Sequence, residues 1–253
     1  MINKKSIFEL LYKLGLSPSS IVMIHGDAGV AAQIKSKKHK NKLNEFIKII
    51  VSFFSKGTVV VPTYTYSVIN SKNFNPDTSK SELGQFSEFF RTYPGVVRTS
   101  HPIFSFAIYG KNKDQFLNAK LSDCFGDETI FDKFYKLNGK ILCIGCSIDR
   151  STFIHYIEQK LGVSYRYFKN FNFNIIVNGF KKKLKTSYFV RKLRYKNDFS
   201  IFKINAFKSN SLKKFNIGRF PIVCISSRNF FRIVKNLYNS NPYFLIRKKK
   251  SYE

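Results

Sequence analysis

The sequence predicts an α/β fold with a mostly parallel central sheet covered by helices on both faces, and three observations point to it. Through roughly the first 160 residues, short apolar runs alternate with longer amphipathic stretches, the pattern of βαβ units. The run at 140–144, Lys-Ile-Leu-Cys-Ile, is apolar after its first residue, as a strand buried on both faces must be. Hydrophobic residues make up 43% of the 253-residue chain and aromatics 17%, enough for one large packed core and against global disorder.

The strands are expected at 21–25, 58–61, 104–109 and 140–144. Helical patterns lie at 5–14 (ended by Gly15), 40–54 (ended by Gly57), 83–92 (before Tyr93-Pro94-Gly95), 113–121 and 128–137. Residues 151–162 read as a further helix, with Ile154, Ile157 and Leu161 on one apolar stripe. Ser151 or Thr152 can cap its start and Gly162 can end it. From about Tyr165 the texture changes. Stretches 171–177, 184–190 and 220–225 read as strands without helices between all of them, so antiparallel additions are expected in the C-terminal third, followed by a last helix at 227–238. The whole chain, 1–253, reads as a single domain, with 165–253 as its strand-rich C-terminal extension. The run Arg247-Lys248-Lys249-Lys250 reads as a frayed, solvated end or as a contact to an anionic surface.

Lys and Arg number 44 against 15 Asp and Glu, a net charge of +29. The excess is either a Lys-rich compositional bias on a solvated surface or the mark of an anionic ligand, nucleic acid or membrane surface. No stretch interleaves aromatic and basic residues at the spacing of a nucleic-acid module, so nucleic acid is not expected as a partner. Cys143-Ile144-Gly145-Cys146 lacks the second pair or nearby His of a zinc set. Both read as small core or strand-end residues, as free thiols beside Cys124 and Cys224, and no metal is expected. No run reaches the ~20 apolar residues of a membrane span. The first residues lack the apolar region of a signal peptide, so a cytoplasmic protein is expected, with peripheral membrane contact and a homo-oligomer left open.

Two of the four histidines sit in compact polar groupings beside strand-like runs, where an α/β enzyme places its chemistry. On the helix at 151–162, His155 and Glu158 are neighbours at i, i+3. The pair is either a surface ion pair or a base and its orienter, because a carboxylate can fix an imidazole tautomer and stabilise the imidazolium. Its place after Gly145-Cys146-Ser147-Ile148-Asp149, a turn at a strand's carboxyl end, favours chemistry. His101, before Pro102, is either a loop residue capping backbone groups or part of a site with Arg98, Thr99, Ser100 and Ser105 as donors. Ile24-His25-Gly26-Asp27-Ala28-Gly29-Val30 is a small-residue turn that either simply joins strand to helix or admits a phosphate or amide to the backbone. Val60-Val61-Pro62-Thr63-Tyr64-Thr65-Tyr66 ends a strand in hydroxyls and aromatics, and 73–79 is a turn cluster containing Asp77 and Ser79. His39, in a Lys-rich run, is expected at the surface.

Together these segments resemble the aminoglycoside 3-N-acetyltransferase family. The resemblance runs in order through the His25 turn, Gly57-Thr58-Val59-Val60-Val61-Pro62-Thr63-Tyr64, Phe74-Asn75-Pro76 and Gly84-Gln85-Phe86-Ser87-Glu88-Phe89-Phe90-Arg91. It continues through Tyr93-Pro94-Gly95-Val96-Val97-Arg98-Thr99-Ser100-His101-Pro102, Ser151-Thr152-Phe153-Ile154-His155-Tyr156-Ile157-Glu158 and Tyr165-Arg166-Tyr167. The likeness implies an α/β/α sandwich and acetyl transfer from acetyl-CoA to an amine in a ternary complex. By that resemblance His155 is the base, Glu158 or Asp27 orients it, and His101 with Ser105 shapes the acceptor side, where Tyr64, Asp77 and Tyr165 are further expected contacts. Coenzyme A would lie on His25, Gly26, Asp27, Ala28, Gly29 and Val30, with Thr63, Ser79, Gly84, Arg98 and Thr99. Where family members carry two serines after the first histidine, Gly26 and Asp27 stand. Aminoglycosides are polycations and call for acidic walls. The basic composition therefore leads to the expectation of an anionic acceptor, a nucleotide-linked amino sugar for a surface glycan such as lipopolysaccharide O-antigen, with aminoglycoside acetylation as the alternative. A further alternative is a non-catalytic basic protein binding nucleic acid or a membrane surface on this scaffold.

Overall fold

The computed structural model describes residues 2–35 and 41–249. The chain enters through α1 (Lys4–Lys13), opened by a reciprocal cap between Asn3 and Ser6. β1 (Ile21–Gly26), α2 (Lys42–Phe53), β2 (Thr58–Pro62), α3 (Val68–Ser71), β3 (Asn73–Phe74) and α4 (Gln85–Arg91) follow. Next come β4 (Val97–Arg98), β5 (Phe106–Gly110), α5 (Lys113–Leu117), α6 (Ile130–Lys136), β6 (Lys140–Ile144) and α7 (Phe153–Leu161). The remainder is β7 (Arg166–Val177), β8 (Phe180–Arg191), β9 (Tyr195–Asn197), α8 (Ser200–Lys208), β10 (Lys213–Ile217), β11 (Phe220–Ser226), α9 (Ser227–Ser240) and β12 (Ile246–Lys248).

The main sheet has seven strands in the order β10-β11-β6-β1-β2-β5-β4. At its centre β6, β1 and β2 lie side by side and parallel. Pairing reverses twice on each flank, so five of the seven strands point one way and only β5 and β11 run against them. The mostly parallel α/β sheet is therefore borne out. Antiparallel strands occur in the C-terminal third as expected, but β5, from the middle of the chain, is antiparallel to β2 as well. An apolar run tells how deeply a strand is buried and says nothing of its direction.

Alternate residues of the central strands face opposite ways, which makes the two halves of the core. Val22, Ile24, Val59 and Val61 pack with Ile7 and Leu11 of α1, Phe46 and Ile50 of α2 and Phe86 of α4. Met23, Val60 and Ile141 face the other way, toward Phe134 of α6, Ile157 of α7, Phe202 of α8 and Phe230 of α9. Helices thus cover both faces.

Several local expectations are corrected. α8 falls between the strands expected at 184–190 and 220–225, where no element was expected, because Ser-Ile-Phe-Lys-Ile-Asn-Ala-Phe-Lys shows no single apolar stripe. Phe202 and Ala206 are buried while Ile201, Ile204 and Phe207 face solvent. The short strands β3, β4, β9, β10 and β12 carried no readable pattern either. The basic tail is not frayed through its described part, since β12 pairs antiparallel with β9. β7 and β8 reach further than expected and close at Asn178-Gly179, both at positive φ (51 and 79°), the requirement of a two-residue hairpin turn. α7 starts at Phe153 without a side-chain cap from Ser151 or Thr152, and Gly162 ends it at φ 64°. His39 and Lys250 lie outside the described residues. No helix among the described residues is long and apolar enough to cross a membrane.

Candidate active site

The carboxyl ends of β1, β2 and β6 open into a cleft of about 940 Å³, the position at which open α/β sheets bind ligands. One wall is the turn after β1, from His25 to Gly29, and another is the turn after β6, from Gly145 to Ser147. Gly84 and the start of α4, with Tyr64 and Tyr66 beyond β2, complete it. At both turns the backbone packs so closely against its neighbours that a side chain is excluded. A Cβ on Gly26 would lie 2.6 Å from the Phe86 ring, and one on Gly145, at φ 77°, would lie 2.8 Å from both Asp27 Cβ and Val30 Cγ2. Asp27 Oδ1 accepts from the Gly29 N–H at 2.7 Å and so caps the 3-10 turn Ala28–Gln33. His25 is buried on the cleft wall with Nε2 lacking a hydrogen-bond partner, and burial lowers it to about 4, so it is neutral. Tyr64 is likewise buried there with an unpartnered hydroxyl. All four cysteines are free. Cys143 is a core residue as expected, but Cys146 is on the cleft wall, its Sγ donating to His25 O at 3.4 Å.

α7 begins at this cleft. Thr152 is on the wall, and one turn later His155 follows, off the wall itself. A run of rings joins the two places: Tyr64 and Tyr66 lie 4.9 and 6.3 Å from Phe104, Phe104 4.8 Å from Phe125, and Phe125 5.5 Å from the His155 ring. His155 Nδ1 is 2.7 Å from Glu158 Oε2, the same oxygen that meets Arg166 Nη2 at 2.8 Å. The side chains of Glu158 and Arg166 are 1% and 2% exposed, so this is no surface ion pair. The His155 side chain, 18% exposed, keeps one edge accessible. Arg166 Nη2 also stands 2.7 Å from His155 Nδ1. A carboxylate can only accept and a guanidinium can only donate, so Glu158 favours a proton on Nδ1 while Arg166 favours its lone pair. Burial, reinforced by the charge of Arg166, lowers His155 to about 4 against the pull of Glu158. Burial alone would raise Glu158, but Arg166 and His155 outweigh it and hold the carboxyl below its ordinary range.

The expected site residues divide into three groups. His25, Gly26, Asp27, Ala28, Gly29, Gly84 and Tyr64 line the cleft, and His155 with Glu158 forms the cluster beside it. Asp27 is occupied as a turn cap, which leaves Glu158 as the orienter of His155. The others hold the fold. Val30 is buried in the core rather than on the wall. Arg98, expected to grip phosphate, spends its guanidinium on the protein. It donates to Thr63 Oγ1 and Ser105 Oγ at 3.1 Å, to Thr63 O at 2.5 Å, to Thr65 Oγ1 at 3.0 Å, to Pro76 O at 3.1 Å and to Ser79 O, and it lies over the Phe74 ring. Thr63, Ser79 and Ser105 are tied into the Arg98 knot, and none of them lines the cleft. Thr99 Oγ1 accepts from Phe106 N–H. His101 Nδ1 accepts from Phe104 N–H at 3.0 Å in a buried loop, the capping role. Asp77 lies in the turn closed by Asn75 and gives its carbonyl to Arg91. Tyr165 is buried against Tyr195 and Tyr243. Arg98→Ala is expected to cost about 3 kcal/mol of stability, since several buried acceptors lose their donor. Thermal melting reads that loss, and a rise in cofactor KM at unchanged stability would overturn it.

Sequence reasoning did not single out Arg166, Thr152, Tyr66, Phe86 or Arg150. Arg166 stood in the quoted Tyr165-Arg166-Tyr167, just past the glycine that ends the helix, which is the one signal that could have found it. Among the described residues no group of three or more His, Cys, Asp or Glu is arranged to hold a metal ion.

Residues 23–239 match the family model described as aminoglycoside 3-N-acetyltransferase. The SPbeta prophage-derived aminoglycoside N(3')-acetyltransferase-like protein YokD of Bacillus subtilis (strain 168) is 27% identical over 201 residues, 70% of this chain and 71% of that protein. Aminoglycoside N(3)-acetyltransferase IX of Micromonospora chalcea is 28% identical over 109 residues, 42% of this chain and 39% of the relative. Among solved structures, the AAC-IIIb binary complex with CoASH superposes with a TM-score of 0.81 at 18% identity, over 94% of this chain and 97% of that one, and shares the fold.

Proposed function

Since the chain belongs to the aminoglycoside 3-N-acetyltransferase family, we propose that it transfers an acetyl group from acetyl-CoA to an amine of an amino sugar, with His155 as the base. The observation that carries this reading is the partly exposed His155 held by buried Glu158 beside a cleft at the carboxyl end of the sheet. The cleft's residues fit coenzyme A. Gly26 and Gly145 let the turns after β1 and β6 pack against Phe86, Asp27 and Val30, which sets the cleft's floor as bare backbone. The orphaned His25 Nε2 and Tyr64 hydroxyl can meet polar groups, and Arg150 on the same wall can meet phosphate. When bound, acetyl-CoA supplies the acyl group as an activated thioester.

An ammonium must lose a proton before its nitrogen can attack. His155 is unprotonated at neutral pH, and in the tautomer that Glu158 favours Nε2 takes that proton while Nδ1–H stays on Glu158. The imidazolium that forms is stabilised by the buried carboxylate at 2.7 Å. His101, buried in its loop, takes no part in this reading.

The expected nucleotide-linked acceptor finds no support among the relatives, which are named for aminoglycosides. An aminoglycoside amine is therefore the first acceptor to test. One observation keeps a second reading: with 44 Lys and Arg against 15 Asp and Glu, the chain suits an anionic amino sugar better than a polycation. A panel measuring thiol release from acetyl-CoA decides. Turnover with aminoglycosides is expected, turnover only with nucleotide-activated amino sugars would establish the second reading, and release with neither would overturn the acceptor class.

A further inference from the structure

A buried carboxylate beside an imidazole works against a resting base. Glu158, at 2.7 Å from Nδ1, pulls His155 toward the imidazolium while burial opposes it, and an imidazolium cannot accept another proton from an amine. Arg166 is placed to prevent this. It stands at the start of β7, anchored by Nη1 donating to Phe189 O at 2.9 Å, while Nη2 reaches both Glu158 Oε2 and His155 Nδ1. We propose that Arg166 is the positioning residue that tunes His155 as a base: its guanidinium offsets the charge of Glu158 in the resting cluster while Glu158 still orients the ring. This rests on the reading of His155 as the base.

The charges facing His155 are Glu158 from α7, Arg166 from β7 and Arg191 from β8. Tyr165 and Tyr188, which lie in the same cluster, are pushed up by burial and remain neutral. Arg191 acts in the same direction as Arg166, but Arg166 is the one whose guanidinium contacts both partners. Without Arg166 the buried carboxylate faces the imidazole uncompensated. The pair then holds a proton more tightly, and the acid limb of base function moves to higher pH.

Three variants test this: R166M, R166K and the double variant E158Q/R166M. His155 is titrated by NMR in the full chain carrying 13Cε1-labelled histidine, a readout independent of turnover, and the pH profile of kcat/KM is measured alongside. R166M is expected to raise the His155 midpoint by about one pH unit or more and to move the acid limb of kcat/KM the same way. R166K restores most of the wild-type behaviour. E158Q/R166M falls back toward the wild-type midpoint, because no carboxylate is left to cancel. If R166M fails to fold, R166Q carries the same expectation. An unmoved His155 midpoint, or a loss of activity uniform across pH, would make Arg166 merely structural and overturn the proposal. A midpoint that shifts as expected in a chain that acetylates no amine would instead overturn the reading of His155 as base.

Discussion

Replacing His155 by alanine is expected to lower acetyl transfer by about 10²- to 10⁴-fold, the usual worth of a general base, with coenzyme A affinity little changed. The cleft proposed for coenzyme A is built from the turns at Gly26 and Gly145, which His155→Ala does not touch. The variant is also expected to fold, because Glu158 keeps its 2.8 Å pairing with Arg166. Glu158→Ala is different, since it strips Arg166 of its partner in a buried place, a change that costs about 3–5 kcal/mol. Turnover from thiol release and affinity from calorimetry separate the two effects. Unchanged turnover in His155→Ala would remove this residue from the mechanism.

Acid is expected to unfold the protein early. Burial lowers His25, His101 and His155 each to about 4, against 6.5 in an unfolded chain. Between those two values the unfolded state binds protons that the native state refuses, so stability falls as pH falls from 6.5 toward 4. Glu158, held below 4.5 in the fold, adds a loss in the same direction at still lower pH. Three histidines give a slope on the order of 4 kcal/mol per pH unit near pH 5, large beside a net stability of about 5–15 kcal/mol. Calorimetric melting across that range reads the slope. His101→Gln, whose amide oxygen can still accept from Phe104 N–H, is expected to remove about a third of it. A melting temperature flat from pH 6.5 to 5 would contradict the neutral, buried state of these side chains.

The parts of the fold that could be read from sequence are those whose burial is periodic. The strand at 140–144 and the neighbouring strands at 21 and 58 showed their character in apolar runs, and Gly162 announced the end of α7. α8 could not be read because its apolar residues divide between core and solvent. The candidate site divides the same way. His155 and Glu158 were legible because a helix brings i and i+3 together, and the His25 turn because small residues mark a close approach. Arg98 misled, since its neighbours Thr99 and Ser100 look like anion donors. Its real partners, at Thr63, Thr65, Pro76 and Ser79, are set by tertiary contact across up to 35 residues of chain. Arg166 was hidden for the same reason, joining its helix partners from the first residue of another element.

The hairpin of β7 and β8 makes the length of this protein locally quantised. Arg166 pairs with Arg191 at its base, Phe189 anchors the guanidinium, and Thr186 and Ser187 tie the loops at Leu121 and Asp123. All of these depend on a register set at the distant Asn178-Gly179 tip. One residue gained or lost in a single strand would turn every following side chain to the opposite face, and Phe189 would leave Arg166. Residues gained in matched pairs, one per strand, would only lengthen the arm. Insertions within these strands should therefore persist in matched pairs, or where a bulge or a longer turn absorbs the odd residue.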